Sequence, residues 1–241
     1  MTGRGIAIKL RAYAVHVFTA LGGVLAFFAA MELCAAQPNP VVVFIYLAIA
    51  GVVDALDGPM ARRWNVLEHA PSIDGAKLDD IIDFLNFTFL PLLLIWRMGW
   101  VPEPAVLWIL PALVASLFGF TNTRAKQSGD GFFLGFPSYW NLVAFYVGLW
   151  AVYFGPGPAG WALLILAALT VLPVRFIYPN QVSAAWRGSV LIGGSVWFAV
   201  LLAMLPFYLD VPEWIMWFSL SYPAFYALLS MYLDISQRRA G

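Results

Sequence analysis

Eight apolar runs, each close to the length a helix needs to cross a bilayer, constrain this chain more than any other feature of its sequence. They lie at 12–33, 41–57, 75–96, 104–121, 139–154, 161–177, 188–205 and 213–233. The segments between them are rich in turn formers: QPNP at 37–40, VPEP at 101–104, GPGP at 155–158 and LDVP at 209–212. Proline lacks an amide donor and glycine is entropically costly in a helix, so both end helices. Composition agrees, with 62% hydrophobic and 11% charged residues, against about a quarter charged in soluble domains. A soluble core cannot absorb so much apolar surface, whereas a bilayer can. The expectation is an all-α polytopic membrane protein with about eight transmembrane helices, forming one integral membrane domain over residues 1–241.

Basic residues give the orientation. With the N-terminus in the cytoplasm, Arg4, Lys9, Arg11, Arg62, Arg63, Lys77, Arg124, Lys126, Arg175, Arg187, Arg238 and Arg239 all fall on the cytoplasmic side, and only Arg97 falls outside. That split satisfies the positive-inside rule and supports the count of eight, with both termini cytoplasmic. Trp96, Trp100, Trp161 and Trp214 near the span ends suit the membrane interface. The formal net charge is zero and says nothing about partners. No cleavable signal peptide is expected, because the first apolar run is long enough to span. The single cysteine, Cys34, cannot form an internal disulfide and reads as a packing residue.

The stretch DALDGPMARRWNVLEHAPSIDGAKLDDIIDF, residues 54–84, holds six aspartates between two runs suited to lipid. Asp54 and Asp57 end the second run at i, i+3, on one helix face. Asp79 and Asp83 open the third at i, i+4, again on one face. The connection is short, so the two helices pack as antiparallel neighbours and four carboxylates converge near the cytoplasmic boundary. They repel one another unless cations intervene, and acids within a membrane mark functional sites by default. Arg62, Arg63 and Lys77 offset part of the charge. Two divalent cations would neutralise four carboxylates, and hard oxygen donors suit magnesium or manganese. Zinc is not indicated: His16 and His69 stand apart, and each reads as an ordinary packing or loop residue. Asp74, just before Gly75, fits a helix N-cap. Gly58, Ala61 and Gly75 keep the backbone open for close approach, and Arg62 offers a planar fork to a phosphate. Metals, a guanidinium and small residues together point to a diphosphate substrate.

The pattern Asp54-x2-Asp57-Gly58-x2-Ala61-Arg62, twelve residues, then Gly75-x3-Asp79-x3-Asp83, resembles the signature of the CDP-alcohol phosphotransferases at all eight positions. The twelve-residue gap is longer than in most of that family and resembles its bacterial phosphatidylcholine synthase branch. GFPSYWN at 135–141 and PVRFIYPN at 173–180 resemble that branch too. The resemblance implies that Asp54, Asp57 and Asp79 ligate metal. It implies that Asp83 joins the metal site and acts as general base, and that Gly58, Ala61, Arg62 and Gly75 bind the CDP part. The implied reaction is metal-dependent transfer of a phosphatidyl group from CDP-diacylglycerol to choline, with release of CMP. The implied setting is the bacterial inner membrane, with the active site on its cytoplasmic side, lipid as partner, no nucleic acid, and a homodimer.

The residues themselves leave the acceptor open. Aromatic faces attract a quaternary ammonium, so Tyr139, Trp140 and Tyr178 are candidates for an acceptor pocket, with Tyr146, Phe176 and Trp186 nearby in sequence. Interfacial belts recruit aromatics for other reasons. Glycerol 3-phosphate would want the cations Arg124, Lys126, Arg175 and Arg187, and serine or inositol stay open. A divalent-cation transporter is the rival class, since membrane carboxylates also build ion pathways. Against it, no internal repeat is visible and the acids gather near one interface. A non-catalytic scaffold leaves the Asp-Gly-Ala-Arg spacing unexplained.

Overall fold

The computed structural model of the chain describes residues 3–122, 131–179 and 182–240. Arg124 and Lys126 lie outside the described residues, as do the side chains of Arg4, Arg238 and Arg239. The chain is mostly helical and divides into two compact units, Met1–Met98 and Gly99–Gly241.

In the first unit, α1 (Gly3–Leu33) packs along α2 (Pro40–Arg63) and also against α4 (Gly75–Asp83). Asn39 caps α2, its side chain accepting from the Val41 amide at 2.9 Å, and Pro40 takes the first helical position, where no donor is needed. The helix runs on past the expected end at 57, through Pro59, to Arg63. A four-residue helix, α3 (Val66–His69), occupies the long gap. Its Val66, with Ala70, packs on Ala12 and Val15 of α1. Asn65 enters α3 with φ 46°, a left-handed backbone that asparagine tolerates better than most residues.

Beyond Asp83 the third apolar run is not uniform. A π-helical segment, Phe84–Phe89, joins α4 to α5 (Leu90–Arg97). Pro91 has no amide to continue an α ladder and crowds the carbonyl one turn back, so the wider turn relieves it. Asn86 in this segment donates to the carbonyls of Ile82 and Gly22, both at 3.0 Å, tying α4 to α1. Gly22 and Gly23 leave room for Ile82 where a Cβ would collide. Arg97, the lone basic residue assigned outside, donates to the carbonyls of Leu33, Ala35 and Ala36 at 3.0–3.3 Å. It therefore satisfies the open end of α1. Cys34 is exposed in the turn after α1, not packed as expected.

In the second unit, α6 (Val106–Thr121) packs on α8 (Gly157–Val171), which also meets α7 (Trp140–Phe154). The expected helix over 161–177 stops at Val171. Pro173 cannot continue it, and the following residues form β2 (Arg175–Ile177), antiparallel to β1 (Phe132–Leu134), with Phe133 opposite Phe176. Among the described residues this ribbon is the one sheet. Next come α9 (Ala184–Met204), a 3-10 turn over Leu205–Asp210, α10 (Glu213–Ser219) and α11 (Ser221–Ala240). The last expected span thus breaks at Leu220, where Pro223 leaves the Ser219 carbonyl without its helical donor. Ser230 of α11 accepts from the Ile177 amide at 3.2 Å, and Asp234 pairs with Arg175.

Among the described residues, three helical stretches are long and apolar enough to cross a membrane: Gly5–Leu33, Pro40–Arg63 and Ala184–Asp210. Shorter apolar helices cover Val106–Thr121, Trp140–Phe154 and Gly157–Val171. Exposed Val17, Val24, Phe27 and Met31 on α1 fit contact with lipid. The length and apolarity of these segments make this a multi-pass membrane protein.

Candidate active site in the first unit

The aspartates that the sequence separates by a loop meet in the structure. One carboxylate oxygen from each of Asp54 and Asp57 on α2, and Asp79 on α4, lies within 4.8 Å of the other two. Helical spacing puts the first two on one face, and the approach of α2 and α4 to α1 brings the third across. Asp83, one turn beyond Asp79, comes within side-chain hydrogen-bond reach of Asp54. Asp57 is the most enclosed, at 7% exposure. It accepts a 2.8 Å hydrogen bond from the hydroxyl of Thr19 on α1, itself 6% exposed.

The donor set fits a hard cation. Oxygens on opposite sides of a magnesium ion stand about 4.2 Å apart, and about 5 Å apart around calcium. Three carboxylate oxygens within 4.8 Å of one another form a group that could hold one such ion. The thiol and imidazole donors that would select zinc are not part of this group.

A cavity of about 950 Å³ opens beside the cluster. Asp57 and Asp79 line it, and so do Gly58, Ala61, Arg62 and Gly75. All four small or basic signature positions therefore share one space with two of the acids. Arg62 reaches back over Gly58, so that a Cβ at 58 would stand 3.4 Å from Nη1. The long gap supplies a wall of this cavity through Asn65 to Glu68 and Pro71 to Asp74. Asp74 caps α4 as expected, accepting from the Lys77 amide at 3.1 Å, and Lys77 also stands 4.0 Å from its carboxylate.

Sequence reasoning missed the part played by α1. Tyr13, His16 and Thr19 recur every three residues on one face. Tyr13 hydrogen-bonds Ser72 at 2.7 Å, His16 lies against Gly75, and Thr19 holds Asp57. Three polar groups at helical spacing in an otherwise apolar run were the available signal.

The aromatic candidates belong to the second unit. Trp140 is fully buried, and its indole donates to Ser116 at 2.6 Å. Tyr178 stacks on Phe133 with ring centres 4.2 Å apart, while Tyr139 is 39% exposed. Arg175, a candidate cation for a phosphorylated acceptor, is committed to Asp234 and lies 5.2 Å over the Phe132 ring. Arg187 is exposed.

A helical chain with a carboxylate cluster and a small-residue, arginine-lined cavity defines a class, and the family model agrees. Residues 11–225 match the CDP-alcohol phosphatidyltransferase family, and the chain belongs to that family of transferases. Among curated proteins, it is 38% identical over 175 residues to a phosphatidylcholine synthase of Pseudomonas aeruginosa, covering 72% of this chain and 71% of that protein. It is 31% identical over 206 residues to the phosphatidylcholine synthase of Rhizobium johnstonii, covering 86% and 83%. A third relative, the phosphatidylcholine synthase of Bradyrhizobium diazoefficiens, is 36% identical over 194 residues, covering 78% and 69%.

Proposed function

We propose that this chain is a phosphatidylcholine synthase, which transfers the phosphatidyl group of CDP-diacylglycerol to choline and releases CMP. The observation that carries the reading is the clustering of Asp54, Asp57 and Asp79 beside a cavity that Gly58, Ala61, Arg62 and Gly75 also line. The names of the relatives support choline as the acceptor.

In this reading Asp54, Asp57, Asp79 and Asp83 hold two divalent cations, manganese or magnesium. The cations would neutralise charge on the diphosphate and on the departing CMP. Arg62 grips a phosphate through its planar fork, while Gly58, Ala61 and Gly75 admit the CDP part to the backbone. Asp83 takes the proton of the choline hydroxyl. The freed oxygen bonds to the phosphorus that carries diacylglycerol, the bond from that phosphorus to the CMP oxygen breaks, and CMP leaves with the electron pair. Tyr139, Trp140 and Tyr178 remain the candidates for the acceptor pocket, because aromatic faces attract a quaternary ammonium. The setting is a bacterial inner membrane, crossed about eight times by a single domain, with both termini and the active site cytoplasmic. Assembly as a homodimer belongs to the same proposal and rests on the family resemblance alone.

The test is CMP release by the purified chain in detergent–lipid micelles with CDP-diacylglycerol and manganese. Choline, serine, inositol and glycerol 3-phosphate are added separately. Release with choline alone is expected. Release with a different alcohol would keep the reaction and replace the acceptor, and folded protein that releases CMP with none would refute the proposal.

A further inference from the structure

His16 is a buried polar group at the wall of the cavity that the reaction as described does not use. It sits on α1 at 6% exposure, and its Nε2 has no hydrogen-bond partner among the described residues. Leaving such a group unsatisfied is destabilising, and a partner that arrives with a ligand would satisfy it. His16 lines the same cavity as Arg62, Gly75 and Asp79. Its ring also fills the space over Gly75, where a Cβ would come 2.9 Å from Cε1 and 3.4 Å from Nδ1. The glycine that opens α4 and the imidazole of α1 are therefore fitted to each other at the cavity wall.

We infer that His16 is a nucleoside-binding residue, whose Nε2 hydrogen-bonds the ribose or base of the CDP group. The inference rests on the proposed function and adds a residue outside the signature. Position along α1 decides which part of the substrate it meets. Thr19 holds Asp57 in the carboxylate cluster. His16 lies three residues earlier, a rise of about 4.5 Å along the helix, toward the end where Tyr13 meets Ser72. A diphosphate seated at the carboxylates has its lipid on one side and its nucleoside on the other. The acceptor alcohol approaches from opposite the departing CMP, because displacement at phosphorus is in line. The nucleoside belongs on the His16 side, because His16 shares its cavity with Arg62 and Gly75, the residues proposed to hold the CDP part. An imidazole nitrogen suits it, since it either donates to a ribose or base oxygen or accepts from a hydroxyl or exocyclic amine.

The experiment measures binding of CMP and, separately, of Mn2+ to the full chain in detergent by titration calorimetry. His16→Leu removes the hydrogen bond at similar bulk. His16→Gln places an amide nitrogen near the position of Nε2 and guards against a variant that merely misfolds. The expected result is CMP affinity weakened roughly threefold to tenfold in His16→Leu, as for one lost hydrogen bond, and largely restored in His16→Gln. Mn2+ affinity stays at the wild-type level in both. Unchanged CMP affinity in His16→Leu would overturn the assignment and leave the proposed function standing. Equal loss of Mn2+ affinity would also overturn it, placing His16 behind the carboxylates as a support. Wild-type protein that binds Mn2+ but no CMP would instead refute the nucleotide reading of the cavity, and the inference with it.

Discussion

Thr19→Val removes one hydroxyl at nearly constant volume, and the structure fixes what that hydroxyl does. It donates to Asp57 at 2.8 Å, with both side chains buried. A hydrogen bond to an ionised acceptor contributes about 1.5–3 kcal/mol. A bound cation takes over part of that stabilisation, because it also favours the charged carboxylate. Loss of a partner that orients a metal ligand costs about 10- to 100-fold in metal affinity. Asp54 and Asp79 offer oxygens beside that of Asp57, so the low end applies: about tenfold, or about 1.4 kcal/mol. Mn2+ titration of the full chain in detergent reads this directly, and Thr19→Ser, which keeps the hydroxyl, should stay near wild type. Folded Thr19→Val protein with wild-type Mn2+ affinity would refute the reasoning, because the oriented Asp57 would then contribute nothing to cation binding.

Asp83→Asn should abolish CMP release while CDP-diacylglycerol still binds, and turnover that survives would remove Asp83 as the base. Arg62→Lys should raise KM for CDP-diacylglycerol several-fold, since a point charge replaces a planar fork; kinetics at varied CDP-lipid concentration decide it. Gly148→Ala should destabilise the second unit by about 1–3 kcal/mol through overpacking, because the added Cβ would stand 2.7 Å from the Trp100 ring. Thermal unfolding of the variant would show that loss as a lowered Tm.

The carboxylate site was legible because its spacing is local. Asp54 and Asp57, and Asp79 and Asp83, share helix faces by periodicity alone, and the packing of α2 and α4 on α1 brings the faces together. What α1 contributes was not legible, because nothing in the sequence says which helix covers the cluster. In the sequence His16 reads as a packing residue and Thr19 carries no signal of its own; in the structure His16 lies against Gly75 and Thr19 donates to Asp57. The apolar runs announced helices, but not where proline would override them. Pro59 is passed without ending α2, whereas Pro173 hands the chain to a strand that finds its partner across the sequence at 132–134. Strand pairing is a long-range event, and a hydropathy run does not record it.

The π turn after Asp83 has a consequence for how the sequence can change. In an α-helix each residue advances the face by about 100°, so a spacing fixed at one end dictates which side chains look inward at the other. A π turn absorbs one extra residue and resets that phase. Residues 75–83 can therefore keep the aspartate spacing unchanged while α5 chooses its own buried side, as Leu92, Leu94 and Ile95 do. Chemistry and membrane packing are geared separately on one continuous rod, and either can drift without stripping the teeth of the other.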